Sequence, residues 1–244
     1  MRSCTLIAVL AALATECARA DAQQPSAPQG VSREGKLHPP AKGSILVAFV
    51  LTESATVIDF AGPWEVFQDA MVQAPGSSAD GQVPFRLFTV SDSKEPIRAT
   101  GGLRIIPDYT FDDAPQPGVV VIGAQAGRSP KMIDWMRRMT KQSEVVMSVC
   151  TGAFKLALTG ALEGKPATTH HEFYDAFAAR FPGVRLLRGK RFVRSDPGIF
   201  TAGGLTSGID LALHVVELYF GREAAERTAR YMEYEGTGWQ RADL

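Results

Sequence analysis

Short apolar strands alternate with amphipathic helices along most of this chain. That order predicts an α/β protein whose mostly parallel sheet is covered by helices on both faces. Three observations carry the expectation. Residues 44–51 (SILVAFVL), 117–123 (PGVVVIG) and 145–149 (VVMSV) are apolar runs rich in β-branched residues, the pattern of strands buried on both sides. Between them, residues 130–142 place apolar side chains at helical spacing. Small residues follow the runs, as sites at the carboxyl ends of parallel strands require.

Residues 44–51 form the first strand. Trp64, Phe67 and Met71 then recur at three- and four-residue spacing, with Pro63 read as a first-turn proline of the first helix. A polar loop containing Pro75, Gly76 and Gly81 leads to a second strand over 84–90. Residues 97–106, with Gly101-Gly102 at their centre, read as a hairpin or bent strand. The strand at 117–123 and the helix at 130–142 precede the strand at 145–149. Past it come a weak strand at 165–169, a helix at 171–181 and short strands at 184–187 and 191–194. Residues 199–202 run into Gly203-Gly204. A long helix follows, capped by Thr206 or Ser207, with Ile209, Ala212, Leu213, Val216 and Phe220 as its buried stripe and Gly221 at its end. A last helix spans 222–234.

The N-terminus is read apart from this domain. Arg2, the apolar run 6–14 and the Ala18-Arg19-Ala20 cleavage site make residues 1–20 a secretory signal peptide, so the chain is expected to be secreted or periplasmic. The run is too short to span a bilayer, and Glu16 before Cys17 does not fit a lipid-anchor box; no membrane anchor is expected. Residues 21–43, rich in Gln, Pro, Ser, Ala and Gly, read as a flexible leader, and 44–244 as one domain. Lys+Arg and Asp+Glu both number 26, and that balance excludes the basic excess of a nucleic-acid binder.

Of three cysteines, Cys4 and Cys17 leave with the signal, so Cys150 remains alone and no intrachain disulfide is expected. Cys150 ends the strand at 145–149 with Ser148 two residues before it and Gly152 two residues after. This is the spacing of a nucleophile elbow, a strand-to-helix turn too tight for bulk on either side. Helix N–H groups aimed at the sulfur are expected to lower its pKa from ~8.5 into the range of roughly 3.5–7.5. A buried, inert cysteine is the alternative. The 123–128 loop, with Gly123 and Ala124, and the 52–59 turn end at the same edge of the sheet. Asp59 reads equally as a helix N-cap and as a proton shuttle. His170 and His171, the one adjacent histidine pair, read as a base beside Cys150 or as a cap and pocket wall. His214 reads as packing, and Trp64 and Phe154 as core or pocket lining. No metal-ligand cluster stands out, so neither metal nor cofactor is expected.

Asp59-Phe60-Ala61-Gly62-Pro63-Trp64-Glu65-Val66-Phe67, Ser148-Val149-Cys150-Thr151-Gly152, Ala167-Thr168-Thr169-His170, Thr201-Ala202-Gly203-Gly204 and Gly208-Ile209-Asp210-Leu211-Ala212-Leu213 resemble the ThiJ/PfpI superfamily, which is class I glutamine-amidotransferase-like. They are most similar to its isonitrile hydratase branch and to the amidase-like domains of AraC-type regulators. The resemblance runs from about Ile45 to Tyr234. It implies a flavodoxin-like three-layer sandwich, a homodimer, a small-molecule substrate, and Cys150 as nucleophile with Asp59 and Thr151 as catalytic partners. Backbone groups at Gly123, Ala124 and Gly152 would then stabilise developing charge. Thr151 stands where protease-like members carry histidine, which points away from proteolysis. After Glu233-Tyr234 the chain continues Glu235-Gly236-Thr237-Gly238-Trp239 where the hydratase branch continues in proline. The implied activity is hydration of an isonitrile to a formamide. A ligand sensor and a glyoxalase- or redox-type stress protein using the same cysteine are the competing classes.

Overall fold

The computed structural model describes residues 37–72 and 83–240. The expected signal peptide, residues 21–36 of the expected leader, and Pro75, Gly76 and Gly81 lie outside the described residues. Within the rest of the expected leader, Leu37 is buried against the core.

The elements follow the order β1 (Ile45–Val50), α1 (Val57–Gln68), β2 (Phe85–Ser91), β3 (Ile97–Arg98), β4 (Arg104–Ile105), β5 (Tyr109–Thr110), β6 (Val119–Ile122), α2 (Pro130–Gln142), β7 (Val145–Ser148), α3 (Gly152–Leu158), β8 (Pro166–Ala167), α4 (Tyr174–Arg180), β9 (Arg185–Leu186), β10 (Phe192–Asp196), β11 (Ile199–Ala202), α5 (Ser207–Phe220) and α6 (Arg222–Tyr231). Seven strands make one sheet in the order β10-β11-β7-β6-β1-β2-β5. Every neighbouring pair in it is parallel except β10 with β11. β3 and β4 form the expected hairpin, Ile97 opposite Ile105.

The apolar runs become central strands because both faces of each must be filled. Val47 and Phe49 of β1 point into one core with Val66 and Phe67 of α1, Leu211 and Val215 of α5, and Ala225 of α6. Ala48 and Val50 point into the other, with Met132 and Met136 of α2, Leu156 of α3 and Phe177 of α4. The result is the three-layer sandwich, with the carboxyl ends of β1, β6 and β7 side by side.

Four expectations are corrected. Helix α1 starts at Val57, so Pro63 lies in its interior and Asp59 is its third residue, not its cap. Neighbouring loops explain the early start. The Thr56 N–H donates to the Ala124 carbonyl at 2.9 Å and the Val57 N–H to the Thr100 hydroxyl at 3.1 Å, so no side-chain cap is needed. The segment expected as one helix over 171–181 divides into a 3₁₀ turn, His171–Phe173, and α4. Neither Thr206 nor Ser207 caps α5 by a side-chain bond, and α6 ends at Tyr231.

Candidate active site

Cys150 occupies the turn between β7 and α3 with φ of +59°, a left-handed conformation that a non-glycine residue adopts only under constraint. Three hydrogen bonds supply the constraint. The Val149 N–H donates to Ile122 O at 2.9 Å, the Cys150 N–H donates to Gly203 O at 2.8 Å, and the Thr169 hydroxyl donates to Cys150 O at 2.9 Å. Gly152 explains the small residue two positions on, because a Cβ there would drive into the Ile122 carbonyl. Ser148, two positions back, is fully buried in the sheet.

Asp59 reaches the same point from α1. Its side chain is completely buried, and Oδ2 accepts the Ala124 N–H at 2.9 Å. Gly123 lets the two backbones come this close, since a Cβ would stand 2.9 Å from that of Asp59. Oδ1 receives no hydrogen bond of full geometry, and the Cys150 thiol is the remaining group that interacts with the carboxyl. Burial raises the Asp59 pKa to about 6, against the pull of the Ala124 N–H and the thiol.

The expected low thiol pKa is overturned. Burial first, and then the negative charge of Asp59, push Cys150 up to about 12, although the Thr151 and Leu205 N–H groups stabilise the anion. The helix terminus loses to desolvation and a facing carboxylate. Between pH 6 and 12 the pair therefore holds one proton, on sulfur, and one negative charge, on Asp59.

The DJ-1/PfpI family profile matches residues 46–218, most of the described domain. The chain belongs to the DJ-1/PfpI family. Isonitrile hydratase of Pseudomonas putida is 31% identical over 196 residues, covering 78% of this chain and 79% of that enzyme. The HTH-type transcriptional regulator GbdR of Pseudomonas aeruginosa is 28% identical over 193 residues, and the chain spans 50% of the regulator's length. The crystal structure of a ThiJ/PfpI family protein from Pseudomonas syringae superposes with a TM-score of 0.62 at 25% identity, covering 80% of this chain and 76% of that one.

Around this DJ-1/PfpI elbow two of the three expected backbone donors are engaged elsewhere. The Ala124 N–H is committed to Asp59, and the Gly152 N–H donates to Val149 O at 2.9 Å within the turn. The amides that favour charge on the sulfur are those of Thr151 and Leu205. Leu205 escaped the sequence reading; the signal for it was Gly203-Gly204, ending the strand beside β7. The Thr151 side chain is half-buried, and its hydroxyl makes no hydrogen bond among the described residues.

His170 borders the site without joining the pair. Its ring packs on Gly204 and stacks on His171 at 4.5 Å, and Nδ1 accepts the Glu172 N–H at 3.3 Å. It therefore caps the 3₁₀ turn, and His171 is exposed. His214 is buried between Phe192 and Phe200, and burial lowers its pKa to about 4. Trp64 lies on Phe49, and Phe154 sits among Phe173, Phe177 and Phe181. Among the described residues, no three acidic, cysteine or histidine side chains gather in a way that would hold a metal ion. No helix among them is long and apolar enough to cross a membrane.

Proposed function

We propose that this chain is a cysteine-dependent hydratase that converts an isonitrile to an N-substituted formamide, acting outside the cytoplasm once residues 1–20 are removed. One observation carries the reading: a buried thiol faces a buried carboxylate, and the two hold a single proton between them. Similarity to isonitrile hydratase over four-fifths of each chain supports it.

An isonitrile carbon accepts a nucleophile and then needs a proton on that same carbon. The pair provides both. Asp59 takes the thiol proton as sulfur bonds to the terminal carbon, and returns it to that carbon, leaving a thioimidate, R–N=CH–S. Attack at carbon dissolves the thiolate's desolvation penalty in a covalent bond, so a free thiolate never accumulates. Water then adds across C=N, hydroxyl to carbon and proton to nitrogen. As the C–S bond breaks, the hydroxyl proton passes through Asp59 to the departing sulfur, and R–NH–CHO is released. The Thr151 N–H favours charge on the sulfur, and the Thr151 hydroxyl, which makes no hydrogen bond among the described residues, can hold the substrate nitrogen or the incoming water.

Formamide formation from cyclohexyl isonitrile, followed by NMR, tests the reading with wild type beside Cys150→Ala and Asp59→Asn. Turnover by wild type and its loss in both variants supports the assignment; a folded wild type inert toward several isonitriles sinks it.

The second reading is a ligand-sensing domain without turnover. The raised thiol pKa favours it, together with the similarity to GbdR. It predicts saturable binding of a small molecule that survives Cys150→Ala. The same high pKa speaks against a redox stress role, because the thiolate is the species that peroxide oxidises.

A further inference from the structure

Leu205 sits in the turn from β11 to α5 with φ of +52°, a conformation that a leucine does not hold by itself. Its N–H is one of two backbone amides that favour negative charge on the Cys150 sulfur. The turn also receives the Cys150 N–H through Gly203 O, so its position sets the elbow from two sides.

Arg191 grips this turn at both ends. Its carbonyl accepts the Gly203 N–H at 2.9 Å, and its Nη2 donates to the Thr206 hydroxyl at 3.2 Å. The guanidinium is held in turn by Asp210 of α5, which is only 1% exposed. Nε donates to Asp210 Oδ2 at 2.6 Å, with Nη2 at 2.5 Å from the same oxygen. The other oxygen is fixed by the C-terminal segment: Tyr234 donates its hydroxyl at 3.1 Å and Trp239 its backbone N–H at 3.2 Å. Gly238 lies so near that a Cβ there would be 2.6 Å from Oδ2. Trp239 itself is buried, beneath the Arg222 guanidinium at 5.1 Å. A carboxylate satisfied by several donors can hold a guanidinium in one geometry, the condition for a rigid support.

We propose that Arg191 and Asp210, latched by the C-terminal segment through Tyr234 and Trp239, are positioning residues that hold the Leu205 amide on the Cys150 sulfur. The reactivity of the thiol then depends on a segment more than eighty residues away in sequence. Asp59 is the charged group that acts on the sulfur directly, and it is left intact in every variant below. The proposal rests on Cys150 as the nucleophile of the hydration above, but its test needs no substrate.

The test is the rate at which iodoacetamide alkylates Cys150 in the full chain between pH 7 and 10, read on the Cys150 peptide by mass spectrometry. The wild type is compared with Arg191→Met, Arg191→Lys, Asp210→Asn and Tyr234→Phe, with thermal unfolding recorded for each. Loss of one N–H bond to an anion predicts alkylation about tenfold slower at each pH in Arg191→Met and Asp210→Asn. Tyr234→Phe should be slower by roughly threefold with little change in unfolding, and Arg191→Lys should recover part of the loss. Folded variants that alkylate at the wild-type rate, or faster, overturn the proposal. If Arg191→Met does not fold, Tyr234→Phe decides in the same terms. Absence of isonitrile hydration would remove the function and leave this result readable.

Discussion

Asp59→Asn should make the protein more stable at neutral pH while abolishing hydration. Folding carries the Asp59 carboxyl from an ordinary pKa of 3.8 to about 6. At ~1.36 kcal/mol per pH unit, that displacement is worth about 3 kcal/mol. The sign follows from which state keeps the proton. Between pH 4 and 6 the unfolded chain has lost it and the folded chain has not, so the contribution is whole below pH 4 and is lost as pH rises through 6. Above that, the fold contains an ionised carboxylate that burial disfavours. Asparagine keeps an oxygen for the Ala124 N–H, which now meets Oδ2 at 2.9 Å, and carries no charge. Urea unfolding of both proteins from pH 4 to 8 should therefore give equal stabilities at pH 4. The variant should lead by about 3 kcal/mol at pH 8, with the difference opening between about pH 4 and 6. A difference that stays constant across this range would refute the reasoning, because it would mean that Asp59 does not titrate with folding.

Gly152→Ala should destabilise by about 1–3 kcal/mol or more, since its methyl group meets the Ile122 carbonyl inside the sheet; the denaturant midpoint measures it. Millimolar hydrogen peroxide at pH 7 should leave the Cys150 peptide largely without added oxygen over minutes, because the sulfur is protonated there; rapid gain of one or two oxygens would restore the redox reading. The mature chain recovered from an exporting host should begin at Asp21 by N-terminal sequencing, and an intact N-terminus there would remove the export proposal.

The legible and illegible parts of this protein divide by range. The β1, β6 and β7 strands could be read because burial on both faces leaves an unbroken apolar run such as Val119–Ile122. The elbow could be read because its sterics act over two residues, and Gly152 records them. The start of α1 could not, because its first amides are met by Ala124 and Thr100, which local signals at Thr56 do not report. The thiol pKa ran opposite to expectation for the same reason. A helix terminus is visible in sequence, whereas burial and a carboxylate brought from α1 are products of packing. The Leu205 amide was hidden more deeply still, since the turn that carries its positive φ is bonded to Arg191, which pairs in turn with Asp210 of α5.

The most direct test of the central claim, one proton shared by Cys150 and Asp59 with Asp59 as its acceptor, is the pH dependence of kcat/KM for isonitrile hydration. Asp59 must be ionised to take the thiol proton, so the rate should rise through pH 6 and stay level from about pH 7 to 10. A rate that climbs tenfold per pH unit through 8 to 10 would contradict the account, because it would follow a thiolate formed without Asp59.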